Sequence, residues 1–425
     1  MANVLFTNVR VLDGTGEHPH QGEVLVQGNR IRRVARGVRA LPMSGVTVID
    51  GAGATLMPGL CDAHTHFSWN DQPSLDAIQR MPPEEHTLWA AGVAKTYLDS
   101  GYTMCVGAAA AKPRLDVVIR NAINSGQIPG PRYLANSQEI ATLGGLGDTT
   151  PPHIEHAGLN FGVVISGPED MRRAVRLFIK YGVDLIKLNL SGEEIAGVAA
   201  EATVMADEEV AIAVSEARRR GIRVCAHARS AESVKMCVRH GIEIIYHASY
   251  ADEEALDMVE AKKDRHFVAP GLAWLVRTSR DAAEWGIKPD SPLAIQYQRE
   301  LEVACEGLRK MHRRGIRVLP GGDYGFAWTP HGTNAKDLEY FVNLLGFTPM
   351  EAILAATKLG GEIMGKAGEL GQIKEGFLAD LILVDGDPLA NIRILQERKR
   401  LLAIMKDGEF HKAPEVAAQR TRIAV

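Results

Sequence analysis

His64 and His66 stand one residue apart at the end of a short apolar run, "DAHTHF". Residues i and i+2 of a strand share a face, so both imidazoles can address one object. "CAHA" ends another apolar run with His227, "YHAS" a third with His247, and "GGDYG" a fourth with Asp323. Neutral imidazole and carboxylate suit Zn²⁺ foremost, and also Mn²⁺, Fe²⁺ or Ni²⁺. A single histidine at a strand end is ordinarily a hydrogen-bonded structural group. Five such residues, each closing an apolar run, point instead to a divalent metal centre.

"GVDLIKLNLSG" places a lysine, Lys187, in the middle of a run whose Val183, Leu185, Ile186, Leu188 and Leu190 suit a strand covered on both faces. A buried ammonium carries a large desolvation cost unless it is paired or its chemistry changes. Beside metal ions a cationic lysine would be repelled. A lysine that has added CO₂ is a carbamate, an anion whose two oxygens can bridge two metals. The alternatives are a Schiff-base lysine and a lysine paired with an acid such as Glu139.

Something must carry these groups to one place. Eight strand-like runs, from "GLCDAHTHF" to "IRVLPGGDYG", alternate with helical patterns that open on Ser, Asp or Pro and close on Gly. That order predicts an α/β fold with a (β/α)₈ TIM barrel, whose reactive groups sit at the C-terminal strand ends. A doubly wound open sheet is the alternative. Residues 1–58 and 367–425 read instead as short strands with glycine turns, so both chain termini are expected to build one small β-sandwich domain around a barrel spanning 59–366.

The composition narrows the function. The 425 residues are 46% hydrophobic, enough for a sizeable core, and 48 Lys and Arg face 52 Asp and Glu. Near-balanced charge gives no sign of nucleic acid or a membrane surface as partner. Basic runs such as "EARRRG" and "KMHRRG" fall at helix ends, where they suit the helix dipole. "MANVLFTNVRVLDG" enters a strand directly, and no apolar run is long enough to span a bilayer, so the cytoplasm is the expected location. Five scattered cysteines look like buried small residues rather than a disulfide frame.

"MPGLCDAHTHF", the strand lysine, "CAHA", "YHAS", "GGDYG", "TPHGTNAKDLEYFVNLLG" and "GQIKEGFLADLILVDGDP" together resemble the amidohydrolase superfamily over nearly the whole chain. The prolidase-like and imidazolonepropionase-like branch is the most similar. The resemblance implies a binuclear metal centre. His64, His66, Lys187 and Asp323 would hold one ion, and carboxylated Lys187, His227 and His247 the other. It implies hydrolysis of dipeptides or N-acyl amino acids with a free carboxylate, including ochratoxin A in some relatives, by a homo-oligomer. A cyclic-amide hydrolase or deaminase is the alternative within the superfamily.

On that basis Asp323 is expected to act as base and then acid. In "TLGGLGDTTPPHIEHAG", His153 or His156 is expected to steady an oxyanion. Arg229 should share the strand face of His227 and could grip a substrate carboxylate, although several relatives carry tyrosine there. Ser68 reads as a hydrogen-bonding group and His331 as a loop-fixing one. Trp69, Trp274 and Trp328 are candidates for an apolar wall.

Overall fold

A computed structural model describes residues 3–154 and 160–414. The N-terminal strands β1 (Asn3–Val11), β2 (His20–Gln27), β3 (Arg30–Arg36), β4 (Thr47–Asp50) and β5 (Thr55–Pro58) lead directly into β6 (Leu60–Thr65). Further strands follow at β7 (Tyr102–Gly107), β8 (Arg132–Leu134), β9 (Asn136–Thr142), β10 (Val163–Ile165) and β11 (Leu185–Asn189). Next come β12 (Ser191–Glu193), β13 (Val198–Thr203), β14 (Arg223–Ala228), β15 (Ile244–His247) and β16 (Phe267–Ala269). Three C-terminal strands complete the set, β17 (Leu381–Val384), β18 (Leu401–Lys406) and β19 (Glu409–Lys412).

Both ends of the chain share one sheet, ordered β19-β18-β17-β5-β1-β2-β3, with β4 also on β1. It is not purely antiparallel. After two hairpins the chain crosses back and lays β4, then β5, parallel to β1. The alternation of β17 shows how this sheet meets the rest. Leu381 and Leu383 enter the sheet's own core with Val4, Phe6 and Leu56, while Ile382 and Val384 enter the large core of the central body. Both faces of "LILV" are buried, which is why it reads as an uninterrupted apolar run.

The central body is mixed α/β. Its parallel strands pair as β6-β7-β8 and as β10-β9-β11-β14-β15-β16. Ala110 N donates to Ser137 O between the two groups. On the far side Val268 N donates to Arg317 O, Leu319 N to Val268 O, and Ala63 N to Pro320 O. Residues 317–320 therefore link β16 back to β6. They pair without forming a regular strand, because Pro320 has no N–H to give. The third expected run, "PRYLANSQEI", is divided at Ala135 into β8 and β9.

Helices return the chain between strands, and their ends follow the sequence signals. Helix Ala231–His240 starts on Ser230, whose side chain accepts from Ser233 N, and stops at left-handed Gly241. Helix Pro168–Tyr181 stops likewise at Gly182. No described helix is long and apolar enough to cross a membrane. All five cysteines are buried and unpaired.

One ion-pair cluster ties the two parts together. Arg132, at the start of β8, donates to both carboxylate oxygens of Asp380, at 2.9 and 3.0 Å, and pairs with Asp407 at 2.9 Å. Asp380 is buried, so removing the guanidinium strands a carboxylate away from water. Arg132→Ala is expected to cost about 3 kcal/mol and to lower the thermal unfolding midpoint by several degrees. Pairing it with Asp380→Asn should recover part of that loss.

Candidate metal centre

Four parallel strands and one loop bring six groups together. His64 lies in β6 and His66 just beyond it, Lys187 in β11, His227 in β14, His247 at the end of β15, and Asp323 in the loop after residues 317–320. Each is at most 6% exposed. The His64 and His66 rings are 5.3 Å apart, His64 and His247 5.1 Å, and His227 and His247 4.5 Å. Nε2 of His64 and of His66 lie 3.6 and 3.1 Å from Asp323 Oδ1.

The backbone is bent to achieve this. His247 and Asp323 adopt φ of +72° and +63°, a left-handed geometry costing about 1 kcal/mol or more for a residue with a side chain. Glycines clear the space around them. A Cβ on Gly271 would lie 2.9 Å from His247 Nδ1, and one on Gly321 would lie 2.7 Å from the backbone N of His64.

Hydrogen bonds turn the imidazoles. His66 Nδ1 meets Ala109 O at 3.1 Å and His227 Nε2 meets Gly192 O at 2.9 Å. Each ring thereby spends its N–H on a carbonyl and keeps the other nitrogen's lone pair free, the arrangement expected of metal-ligating histidines. His64 Nδ1, His66 Nε2, His247 Nδ1 and Asp323 Oδ1 are buried with no hydrogen-bond partner. Such orphaned atoms are costly unless something binds them.

Electrostatics favours the same protonation states. Burial pushes His64, His66, His227 and His247 below the usual imidazole range, helped by neighbouring cations including Lys187. All four are neutral at pH 7. Burial alone would raise the Asp323 carboxyl, but His64 and His66 when protonated, together with Lys187, overcome it and hold Asp323 below the usual carboxylate range. Among the described residues Lys187 has no carboxylate partner. Its Nζ lies 4.7 Å from the Tyr246 ring centre, and Glu139 is hydrogen-bonded by Asn189.

These groups fit a metal. Two donor atoms about 2.1 Å from one tetrahedral ion lie about 3.4 Å apart, close to the His64, His66 and Asp323 separations. One donor atom each from His64, His247 and Asp323 lie within 4.8 Å of one another.

The family follows from the whole chain. Residues 55–410 match the model of the amidohydrolase family. The chain belongs to that family. The ochratoxinase of Aspergillus niger is 29% identical over 386 residues, covering 85% of this chain and 76% of that enzyme. An imidazolonepropionase of Rubrobacter xylanophilus is 23% identical over 407 residues, covering 91% of this chain and 89% of that protein. Among solved structures, a Xaa-Pro dipeptidase with methionine bound in its active site superposes with a TM-score of 0.84 at 27% identity, covering 97% and 100% of the two chains. As a family member with such relatives the protein is an enzyme, a hydrolase acting on C–N bonds.

Arg229 lies elsewhere than expected of a substrate-gripping residue in this amidohydrolase. Its guanidinium is fully buried between Glu193 and Glu300, and it does not line the cavity at the centre. The physical reason is counter-charge, since a buried cation left unpaired costs several kcal/mol. Glu193 does line the cavity. It accepts from Tyr297 Oη, and burial together with Glu300 pushes its carboxyl up. Glu193 was not anticipated, although "SGEE" directly after the lysine strand was a signal for it.

His153 is exposed on its loop and does not line the cavity, and His156 lies outside the described residues. Ser68 Oγ accepts from Ala111 N, as a hydrogen-bonding group should. His331 Nε2 meets Trp69 O at 2.8 Å and fixes that loop. Trp69 and Trp274 line the cavity with Leu75, Leu146, Ile195 and Phe326, whereas Trp328 donates to Thr278 away from it.

Elemental analysis provides the check. On the expected ligand set, in which His227 holds only one of two ions, the purified protein should hold about two divalent ions per chain and His227→Ala about one. Unchanged metal content in His227→Ala would remove that residue from the centre.

Proposed function

We propose that this enzyme is a binuclear, metal-dependent amidohydrolase that cleaves the amide bond of N-acyl amino acids or dipeptides, in a closed (β/α)₈ barrel flanked by the sheet of both termini. The convergence of His64, His66, Lys187, His227, His247 and Asp323 at one buried point carries this reading. His64, His66, Lys187 and Asp323 would hold one ion; Lys187, His227 and His247 would hold the second. Divalent ions held there supply Lewis acidity that polarises a carbonyl and acidifies a water at neutral pH.

Lys187 serves both sides only as a carbamate. Its neutral amine would add CO₂, forming an N–C bond as one C=O π bond opens and a proton is released, and so gain one negative charge shared by two oxygens. Asp323 takes the proton of the attacking water and returns it to the leaving nitrogen, so one carboxylate works first as base and then as acid. No serine or cysteine nucleophile is required.

Trp69, Trp274 and Phe326 line the cavity and exclude water from the reacting amide. Their aromatic faces favour a substrate with an aromatic group next to the amide, in keeping with the likeness to an ochratoxinase and a dipeptidase. Arg229 acts as a positioning residue. It holds Glu193 at the cavity edge, with Tyr297 bonded to the same carboxylate.

The test is a panel of N-acyl aromatic amino acids, dipeptides and ochratoxin A, set against cyclic amides and imidazolones. Hydrolysis of the first group, abolished by a chelator and restored by Zn²⁺ or Mn²⁺, is the expected outcome. Turnover of the cyclic group alone would contradict it. Asp323→Asn should lower kcat by about 10²-fold or more on any substrate cleaved.

A further inference from the structure

At the opposite ends of the same strands, a cavity of about 500 Å³ opens between the C-terminal turns of helices Asp207–Arg218, Ala231–His240 and Glu253–Ala261. β14 separates it from the metal centre, because Arg223 and His227 lie about 13 Å apart along an extended strand. Arg218 and Arg219 on its rim come from the "EARRRG" run, joined there by Arg239, Lys262 and Arg265. No carboxylate side chain is among its lining residues.

The charges at this rim are unequal. Arg239 and His240 are balanced by Asp207 and Glu232. Among the described residues, Arg218, Arg219, Lys262 and Arg265 form no ion pair. Arg218 donates to His240 O at 3.1 Å and Lys262 to Val238 O at 3.3 Å, so both are drawn to helix C-termini. Three helix ends contribute about half a negative charge each at most, which leaves an excess of about two and a half positive charges.

The floor of the cavity supplies an independent observation. His266 lines it, is 0% exposed, and directs Nδ1 to Ile242 O at 2.8 Å. Its Nε2 is buried without any partner. Burial holds this imidazole below its usual range, with Lys262, Arg317 and Arg265 adding to the effect. What the pocket lacks is an anion for its cations and a hydrogen-bond donor for this nitrogen.

We propose that this cavity binds a doubly charged oxyanion, the phosphoryl group of a small phosphorylated molecule, between Arg218, Arg219, Lys262 and Arg265 with His266 beneath it. Guanidiniums from two segments, Arg218 and Arg219 at one helix end and Arg265 beyond another, suit the tetrahedral acceptors of a phosphoryl group better than the planar pair of a carboxylate. His266 Nε2, an acceptor because Nδ1–H is spent on Ile242 O, would take its hydrogen bond from a hydroxyl of the same phosphorylated molecule.

Isothermal titration of the full-length protein with inorganic pyrophosphate, at fixed ionic strength, tests this site. Saturable binding with a Kd below about 1 mM is expected. The Arg219→Glu, Arg265→Glu double variant should weaken it about tenfold or more, with Lys262→Gln as a milder second variant. Arg220→Glu, an exposed neighbour that does not line the cavity, should leave it unchanged. Absence of saturable binding, or binding that survives both variants as an adventitious ion only, would overturn the proposal. Amide hydrolysis is not the readout, so the result is independent of the reaction assigned to the other face.

Discussion

The constraint on which the structure turns is charge balance in a buried place. Lys187 and Asp323 lie almost wholly out of water, within reach of four imidazoles that burial keeps neutral. No carboxylate pairs with Lys187 among the described residues, and Asp323 leaves an oxygen unpartnered. A hydrophobic core would not tolerate such a set, because each orphaned group costs on the order of 1–3 kcal/mol. The proposed divalent ions and carboxylated lysine would together resolve that imbalance.

The rest of the fold can be understood as the support for that cluster. Parallel strands present His64, His66, Lys187, His227 and His247 on one rim, and the pairing through residues 317–320 brings Asp323 to meet them. Left-handed backbone at His247 and Asp323, with side-chain-free clearance at Gly271 and Gly321, sets their final aim. A second balance stands beside the first. Glu193 and Glu300 enclose Arg229, so its charge is already answered before any substrate arrives.

Much of this was legible in the chain. Apolar runs that end in polar residues are a local signal, and they pointed to His64, His66, His227, His247 and Asp323, while Lys187 stood out as a lysine inside such a run; the structure brings these six groups together. Helix boundaries were equally local, since Ser230, Gly182 and Gly241 act on their own neighbours. What was hidden depends on distance along the chain. Glu193 and Glu300 lie 36 and 71 residues from Arg229, and no periodicity links them. The parallel course of β4 and β5 beside β1 was also invisible, because alternation reveals a strand but not its direction. His153 shows the converse limit, a reactive residue type in a glycine-rich loop that the fold leaves in solvent.

The central claim is that Lys187 is carboxylated and shared by two ions. A high-resolution crystal structure of the protein, purified with bicarbonate and zinc, tests it most directly. The account predicts continuous density for a planar carbamate on Lys187 Nζ, with one oxygen toward the ion held by His64 and His66 and the other toward that held by His227 and His247. An unmodified amine beside a fully loaded centre would contradict it.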